Sequence, residues 1–152
     1  MLIQVFHNSR RDEVGRCTAM MDGYRAGDPL THVFDFDLTD ADAAGSNWPE
    51  RVYELLNIGD DPSFGTPDDR AVAYRARRNR SLSVGDVLIV DGAAQAVAHY
   101  SFESVRVDPA QLVNALHHGT TPITWPVARQ LDGADDARCE AWARDWFAPD
   151  NA

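Results

Sequence analysis

Short segments in which apolar and polar residues alternate predict several β-strands. Residues 2–7 are rich in strand-forming side chains and end at the turn residues Asn8 and Ser9. Residues 17–24 form a second candidate strand, and the period of two is clearest in residues 32–38. In that third segment one face carries Phe34, Phe36 and Leu38, and the other carries Asp35 and Asp37. It therefore predicts a half-buried strand.

A β-hairpin is predicted over residues 87–102. Residues 87–90 are continuously apolar, as in a strand that is buried on both faces. They follow a predicted turn at residues 83–86, in which Gly85 can adopt positive φ. Asp91 and Gly92 suit the hairpin turn. One face of the returning strand would carry Ala96, Ala98, Tyr100 and Phe102.

Helical patterns, each with a start signal, alternate with these strands. The helices are predicted near residues 49–57, 67–78, 109–118 and 137–147. Pro49 suits a first helical turn, and Thr66 is the predicted N-cap ahead of Pro67. Asp108 and Gln111 have the spacing of a capping box. The acidic residues 40–46 between strand and helix are predicted to form a loop.

These elements predict one α+β domain over residues 1–152, with an antiparallel sheet that includes the hairpin 87–102 and packs against three to four helices. The C-terminal helix is expected to pack on this domain through an apolar stripe that includes Trp142 and Trp146. A chain of 152 residues with 44% hydrophobic residues is long enough to bury one core.

Composition favours a cytoplasmic protein. No segment has the roughly 20 apolar residues of a membrane span, and the N-terminus has no signal-peptide pattern. Cys17 and Cys139 lack metal-ligand spacing and are expected to be reduced. All 14 basic residues are arginine. GC-rich coding explains the missing lysines, and escape from lysine-directed modification is the alternative.

Charge is distributed very unevenly. The formal net charge is −10, and residues 28–69 hold eleven acidic residues and one arginine. General nucleic-acid binding is therefore disfavoured, because most of the surface would repel phosphates. Residues 70–80, in contrast, hold five arginines.

The arginine-rich segment supplies the candidate binding residues. These are Arg75, Arg77, Arg78 and Arg80, with Ser81 and Ser83 holding the loop that follows. The alternative is structural, because cations at the end of a helix complement its dipole and could neutralise nearby acidic loops. Five arginines exceed what a dipole requires, which motivates a binding role.

No catalytic, cofactor or metal motif accompanies this segment. The five histidines lack metal-ligand spacing, and solvation explains the pair Asp35 and Asp37 better than a cation site does. Phosphate loops, dinucleotide fingerprints and nucleophile elbows are missing from the sequence. We therefore predict no catalytic residues, no metal and no cofactor.

Residues 79–87, with the sequence Asn-Arg-Ser-Leu-Ser-Val-Gly-Asp-Val, resemble the signature of YodL-like domains, small modules of phages, bacterial mobile elements and large polyvalent proteins of conjugative elements. The resemblance covers about residues 49–107, and the chain is also similar to short uncharacterised actinobacterial proteins with this run. It implies a mobile-element or phage context and no established reaction. Residues 98–102 depart from the family pattern, which has a cysteine- or glycine-containing strand end there.

The leading functional expectation is a non-catalytic phage or mobile-element accessory protein. It would bind a host macromolecule, such as a nucleic-acid-handling protein, through an acidic surface with an arginine patch. The alternative is a nucleotide- or phosphate-binding protein or small enzyme that uses the cluster from Arg75 to Arg80. A homo-oligomer that associates through Trp142 and Trp146 is a third possibility.

Overall fold

A computed structural model describes residues 1–44 and 47–114 as a six-stranded sheet with helices. The strands are β1 Leu2–Asn8, β2 Leu30–Asp37, β3 Val87–Val90, β4 Ala93–Val97, β5 Phe102–Val105 and β6 Leu112–Asn114. The helices are α1 Ala19–Asp22, α2 Asp40–Ala43, α3 Trp48–Ile58 and α4 Asp69–Ala76, with 3₁₀ turns at Pro62–Phe64 and Pro109–Gln111. The predicted α+β fold is confirmed.

The strands lie side by side in the order β5-β4-β3-β1-β2-β6. Every neighbouring pair is antiparallel except β2 and β6, which run parallel. The sheet is therefore mixed, where a purely antiparallel sheet was predicted. Register shifts between Val5 and Phe6 in the β1–β2 pair, because β2 holds one extra residue there, and the neighbours Val33 and Phe34 consequently belong to the same hydrophobic cluster.

Hydrophobic clusters cover both faces of the sheet. The larger one joins β1, β2 and β3 to α3 and α4, and its members include Val5, Phe34, Val52, Leu56, Tyr74 and Leu88. The second contains Phe6, Leu30, Val87, Ile89, Ala94, Ala96 and Leu112. All four residues of β3 are buried, as the continuous apolar run predicted.

Helices α3 and α4 follow the sequence signals closely. Pro49 lies in the first turn of α3, and Gly59 is its C-cap. Helix α4 is capped by Asp68, whose side chain accepts from the Arg70 amide, so the predicted Thr66 cap is wrong by two residues. The helix ends at Ala76, earlier than predicted, and Arg78 adopts a φ of 62° that helical residues do not have.

Two segments near the N-terminal half differ from the prediction. Residues 17–24 hold the short helix α1 rather than a strand, because the amides of Asp22 and Gly23 donate to the carbonyls of Thr18 and Ala19 within one helical turn. Residues 40–43 form α2 rather than a loop, because Thr39 and Asp42 make a reciprocal capping box.

The C-terminal part of the sheet also differs. The hairpin returns only to Val97, and an exposed turn closed by the Ala98 amide and the Ser101 carbonyl separates it from β5. The prediction of a helix at 109–118 is wrong for residues 109–114, the part of it that the structure describes. The capping box of Asp108 and Gln111 closes one 3₁₀ turn, and β6 then pairs with the open edge of β2.

Cys17 is buried, and its expected reduced state stays a prediction. Cys139 and the predicted helix near 137–147 lie outside the described residues. Among the helices of residues 1–44 and 47–114, none is long and apolar enough to cross a membrane.

Candidate functional site

The centre of the arginine-rich segment is a buried ion pair between Arg80 and Asp86. The two guanidinium Nη atoms of Arg80 donate to the two carboxylate oxygens of Asp86 at 2.6 and 2.7 Å. Their side chains are 7% and 1% exposed. This two-pronged geometry is the strongest form of the arginine–carboxylate pair, and it fixes both side chains.

Backbone amides complete the environment of the Asp86 carboxylate. The amide of Asn8 donates to one oxygen and the amide of Ser83 to the other, both at 2.8 Å. With the two bonds from Arg80, the carboxylate accepts four hydrogen bonds. A buried charge is tolerated only when it is paired and hydrogen-bonded in this way.

Asn8 extends the network to a second buried ion pair. Its side-chain amide donates to Asp28 at 2.7 Å and to the Gly85 carbonyl at 3.1 Å. Asp28 in turn accepts two hydrogen bonds from Arg10, at 3.0 and 3.1 Å. The network therefore joins two arginines to two aspartates through one neutral side chain, and its formal charge is zero.

Tyr74 links this network to helix α4. Its hydroxyl donates to the Arg80 carbonyl at 2.6 Å and lies 2.7 Å from His7 Nε2. A hydroxyl has one proton, and the carbonyl can only accept, so Nε2 of His7 must carry a proton and donate to Tyr74. Both side chains are fully buried.

Arg75 is also engaged within the fold. Its Nη atoms donate to the carbonyls of Asn57 and Asn79 and to the Ser81 hydroxyl, at distances of 2.9 to 3.2 Å. Its Nε lies 3.5 Å from Asp60. Arg75 therefore ties the end of α4 to the end of α3 and to the loop that follows.

The same loop is fixed from α3 by Asn57. The side chain of Asn57 accepts from the Leu82 amide at 2.7 Å and donates to the Leu82 carbonyl at 3.1 Å. The Leu82 side chain is 2% exposed and belongs to the larger core. Asn57 thus replaces the pairing that a neighbouring strand would give this extended backbone.

The turn at residues 83–86 requires a glycine. Gly85 has a φ of 91°, and a Cβ atom there would lie 2.8 Å from the Cβ of Ala19. Its amide donates to the Val97 carbonyl at 2.8 Å. The turn therefore packs tightly between α1 and β4.

Arg77 and Arg78 differ from Arg75 and Arg80. The guanidinium of Arg77 lies 4.8 Å from the Phe34 ring centroid, and its Nη1 is buried without a hydrogen-bond acceptor. Arg78 is exposed. The structure therefore brings Arg75, Arg80 and Ser81 into one structural cluster and leaves Arg77 and Arg78 outside it. Ser83 contributes mainly its backbone amide.

Arg70, the first arginine of residues 70–80, binds acidic residues that lie before it in the sequence. It donates to the carboxylates of Asp42 and Asp68, each at 2.8 Å, and to the Asp37 carbonyl at 3.1 Å. Hydrogen bonds from Arg70 lower the pKa of both carboxyls. The sequence analysis did not assign this role, although the Asp-Asp-Arg order at the start of α4 is a signal for it.

Within the part of the chain that the structure describes, no group of three or more His, Cys, Asp or Glu residues is arranged to hold a metal ion. Comparisons with protein-family models, curated proteins and solved structures found no match. The resemblance to YodL-like domains therefore stays a prediction.

Replacing Arg80 by alanine is expected to lower the free energy of unfolding by about 3–5 kcal/mol, because Asp86 is then buried without its counter-charge. The matched control is Arg78→Ala, two residues away and exposed, which should change it by less than about 0.5 kcal/mol. Chemical denaturation measures both. Equal effects would show that Arg80 has no special structural role.

Low pH should weaken the Arg70 cluster. The folded-state pKa values of Asp42 and Asp68 lie below the ordinary value of 3.8. Their contribution is therefore present above that value and is lost as the pH falls through the folded-state pKa values. We expect the wild type to lose more stability than Arg70→Gln in urea denaturation between pH 5 and about pH 2. Parallel pH profiles would contradict this assignment.

Proposed function

We propose that this protein is a non-catalytic binding protein whose acidic surface engages a basic site on another macromolecule. Residues 35–70 contain ten acidic residues and two arginines. Both arginines pair with acidic residues of the same region: Arg51 with Glu54, and Arg70 with Asp42 and Asp68. A large negative excess therefore faces solvent, and this excess is the observation that carries the proposal.

The acidic surface is defined by its exposed carboxylates. These are Asp37, Asp40, Glu50, Glu54, Asp61 and Asp69. The end of β2, the two helices α2 and α3, and the start of α4 hold five of them, and Asp61 caps the 3₁₀ turn at Pro62–Phe64. Carboxylates on rigid elements keep a fixed spacing, as the phosphates of a nucleic acid do. A protein with a basic nucleic-acid site is therefore the partner class that we propose.

The arginine patch has a smaller part in this proposal than in the sequence analysis. Arg75 and Arg80 hold the fold together, so their loss would act through folding. Arg78 is exposed, whereas Arg77 is half-buried with its guanidinium against the Phe34 ring. Arg78 would supply a cationic contact beside the acidic surface. The phage or mobile-element context rests on the resemblance of residues 79–87 alone.

A phosphate or nucleotide pocket has less support. Such a pocket needs several guanidinium groups that converge on one point with free donors. Arg75 donates to Asn57, Asn79 and Ser81, and Arg80 donates to Asp86 and to the Ser81 carbonyl. Their donors are therefore engaged inside the fold, and no specific observation favours this alternative.

The proposal predicts competition with nucleic acid. We expect the wild type to bind a purified histone-like nucleoid protein at low salt and to displace duplex DNA from it, with affinity that falls as salt rises. The double variant Glu50→Gln/Glu54→Gln should bind about fivefold more weakly, because exposed charge pairs contribute modest energies. Fluorescence anisotropy of labelled DNA measures the displacement.

The matched control neutralises two exposed acidic residues elsewhere, as Glu13→Gln/Asp91→Asn. It has the same net charge as the test variant and should compete like the wild type. Equal weakening in both variants would show that net charge, rather than the position of Glu50 and Glu54, determines binding. No binding by the wild type at low salt would refute the proposed partner class.

A further inference from the structure

Strand β5 forms one edge of the sheet and pairs only with β4 on its inner side. Within residues 1–44 and 47–114, no strand lies on its outer side. Glu103 and Ser104, the central residues of β5, are exposed. An edge strand of this kind presents unpaired backbone donors and acceptors that an extended chain can use.

Each side of this edge has a distinct chemistry. On the side of the larger core, Phe102 packs edge-to-face against Tyr53, with ring centroids 6.2 Å apart. Tyr53 is 38% exposed, so the aromatic pair forms a partly open apolar surface next to the edge. An apolar side chain of an added strand could cover it.

The opposite side carries a groove and a carboxylate. Glu103 pairs with Ala96 in register, so both lie on the face of the second hydrophobic cluster. A groove of about 300 Å³ opens there, and its lining includes Tyr24, Ala96, Tyr100 and Glu103. Tyr100 is fully exposed. A carboxylate beside two tyrosine rings suits a cationic side chain.

Charge also disfavours a second copy of this chain as the occupant, because each copy has a formal net charge of −10 and the two would repel each other. A basic segment would instead be attracted to this protein, because the whole chain carries a net charge of −10.

We propose that β5 accepts an extended segment of a partner protein as an additional strand, with alternating apolar and basic side chains. The apolar residues would cover Tyr53 and Phe102, and an arginine or lysine would lie in the groove beside Glu103. This site borders the acidic surface at α3, where Tyr53 lies between Glu50 and Glu54, but the edge strand and Glu103 lie four strand spacings, roughly 19 Å, from β2.

The test uses a short synthetic peptide of alternating arginine and valine, followed by amide chemical shifts of the whole protein. We expect the shifts to change at β5, Tyr24 and Tyr100. A peptide that is N-methylated at the backbone positions facing β5 should bind about tenfold more weakly, because it loses main-chain hydrogen bonds. Adsorption by charge alone would not distinguish the two peptides.

Protein variants identify the contact. Glu103→Gln should weaken binding about threefold, whereas Glu13→Gln, an equally exposed neutralisation elsewhere, should leave it unchanged. Equal affinity of the two peptides would overturn the inference, as would a wild-type dimer that forms through β5. Shifts confined to α2 and α3 would also overturn it and would support the acidic surface instead, so the two proposals fail separately.

Discussion

The buried ion pair between Arg80 and Asp86 holds together parts of the chain that are far apart in sequence. The Asn8 amide at the end of β1 donates to the Asp86 carboxylate. The Tyr74 hydroxyl of α4 donates to the Arg80 carbonyl. The Asn8 side chain also donates to Asp28, which pairs with Arg10. The sheet, the helical layer and the N-terminal loop therefore meet around one carboxylate.

The energetics explain why this arrangement needs so many hydrogen bonds. Desolvation of two charges costs several kcal/mol per ion, and only a well-formed pair with its remaining donors satisfied offsets that cost. Arginine suits this role better than lysine would, because its planar group can bind both carboxylate oxygens at once. Removal of either charge leaves the other buried, which makes the pair a point of high sensitivity.

This view changes the meaning of the most conspicuous sequence feature. The arginines of residues 70–80 suggested a recognition surface, and residues 79–87 carry the family resemblance, yet Arg80, Leu82, Gly85 and Asp86 serve packing and hydrogen bonding inside the fold. Even Arg75, which lies before this run, caps carbonyls of two other segments. The surfaces that we propose for binding lie elsewhere: the acidic residues around α2 and α3, and the edge strand β5.

Local patterns predicted those elements whose stability is local. The alternation in β2, the apolar run of β3 and the proline start of α3 all correspond to observed elements. One failure was local, because the capping box of Thr39 and Asp42 that starts α2 was overlooked. Other failures involve distant contacts: Ala19 of α1 lies against Gly85, and β6 pairs with the edge of β2, and neither contact is visible in the local sequence. The ion-pair partners of the arginines could not be predicted either, because the fold rather than the local sequence brings them together.

A double-mutant cycle between Arg80→Gln and Asp86→Asn tests the central claim most directly. Urea denaturation of the wild type, both single variants and the double variant gives the coupling free energy between the two side chains. A coupling of about 2–3 kcal/mol is the result that our account predicts for a buried, two-pronged pair. A coupling below about 0.5 kcal/mol would mean that the two side chains act independently, and the ion pair would no longer explain this fold.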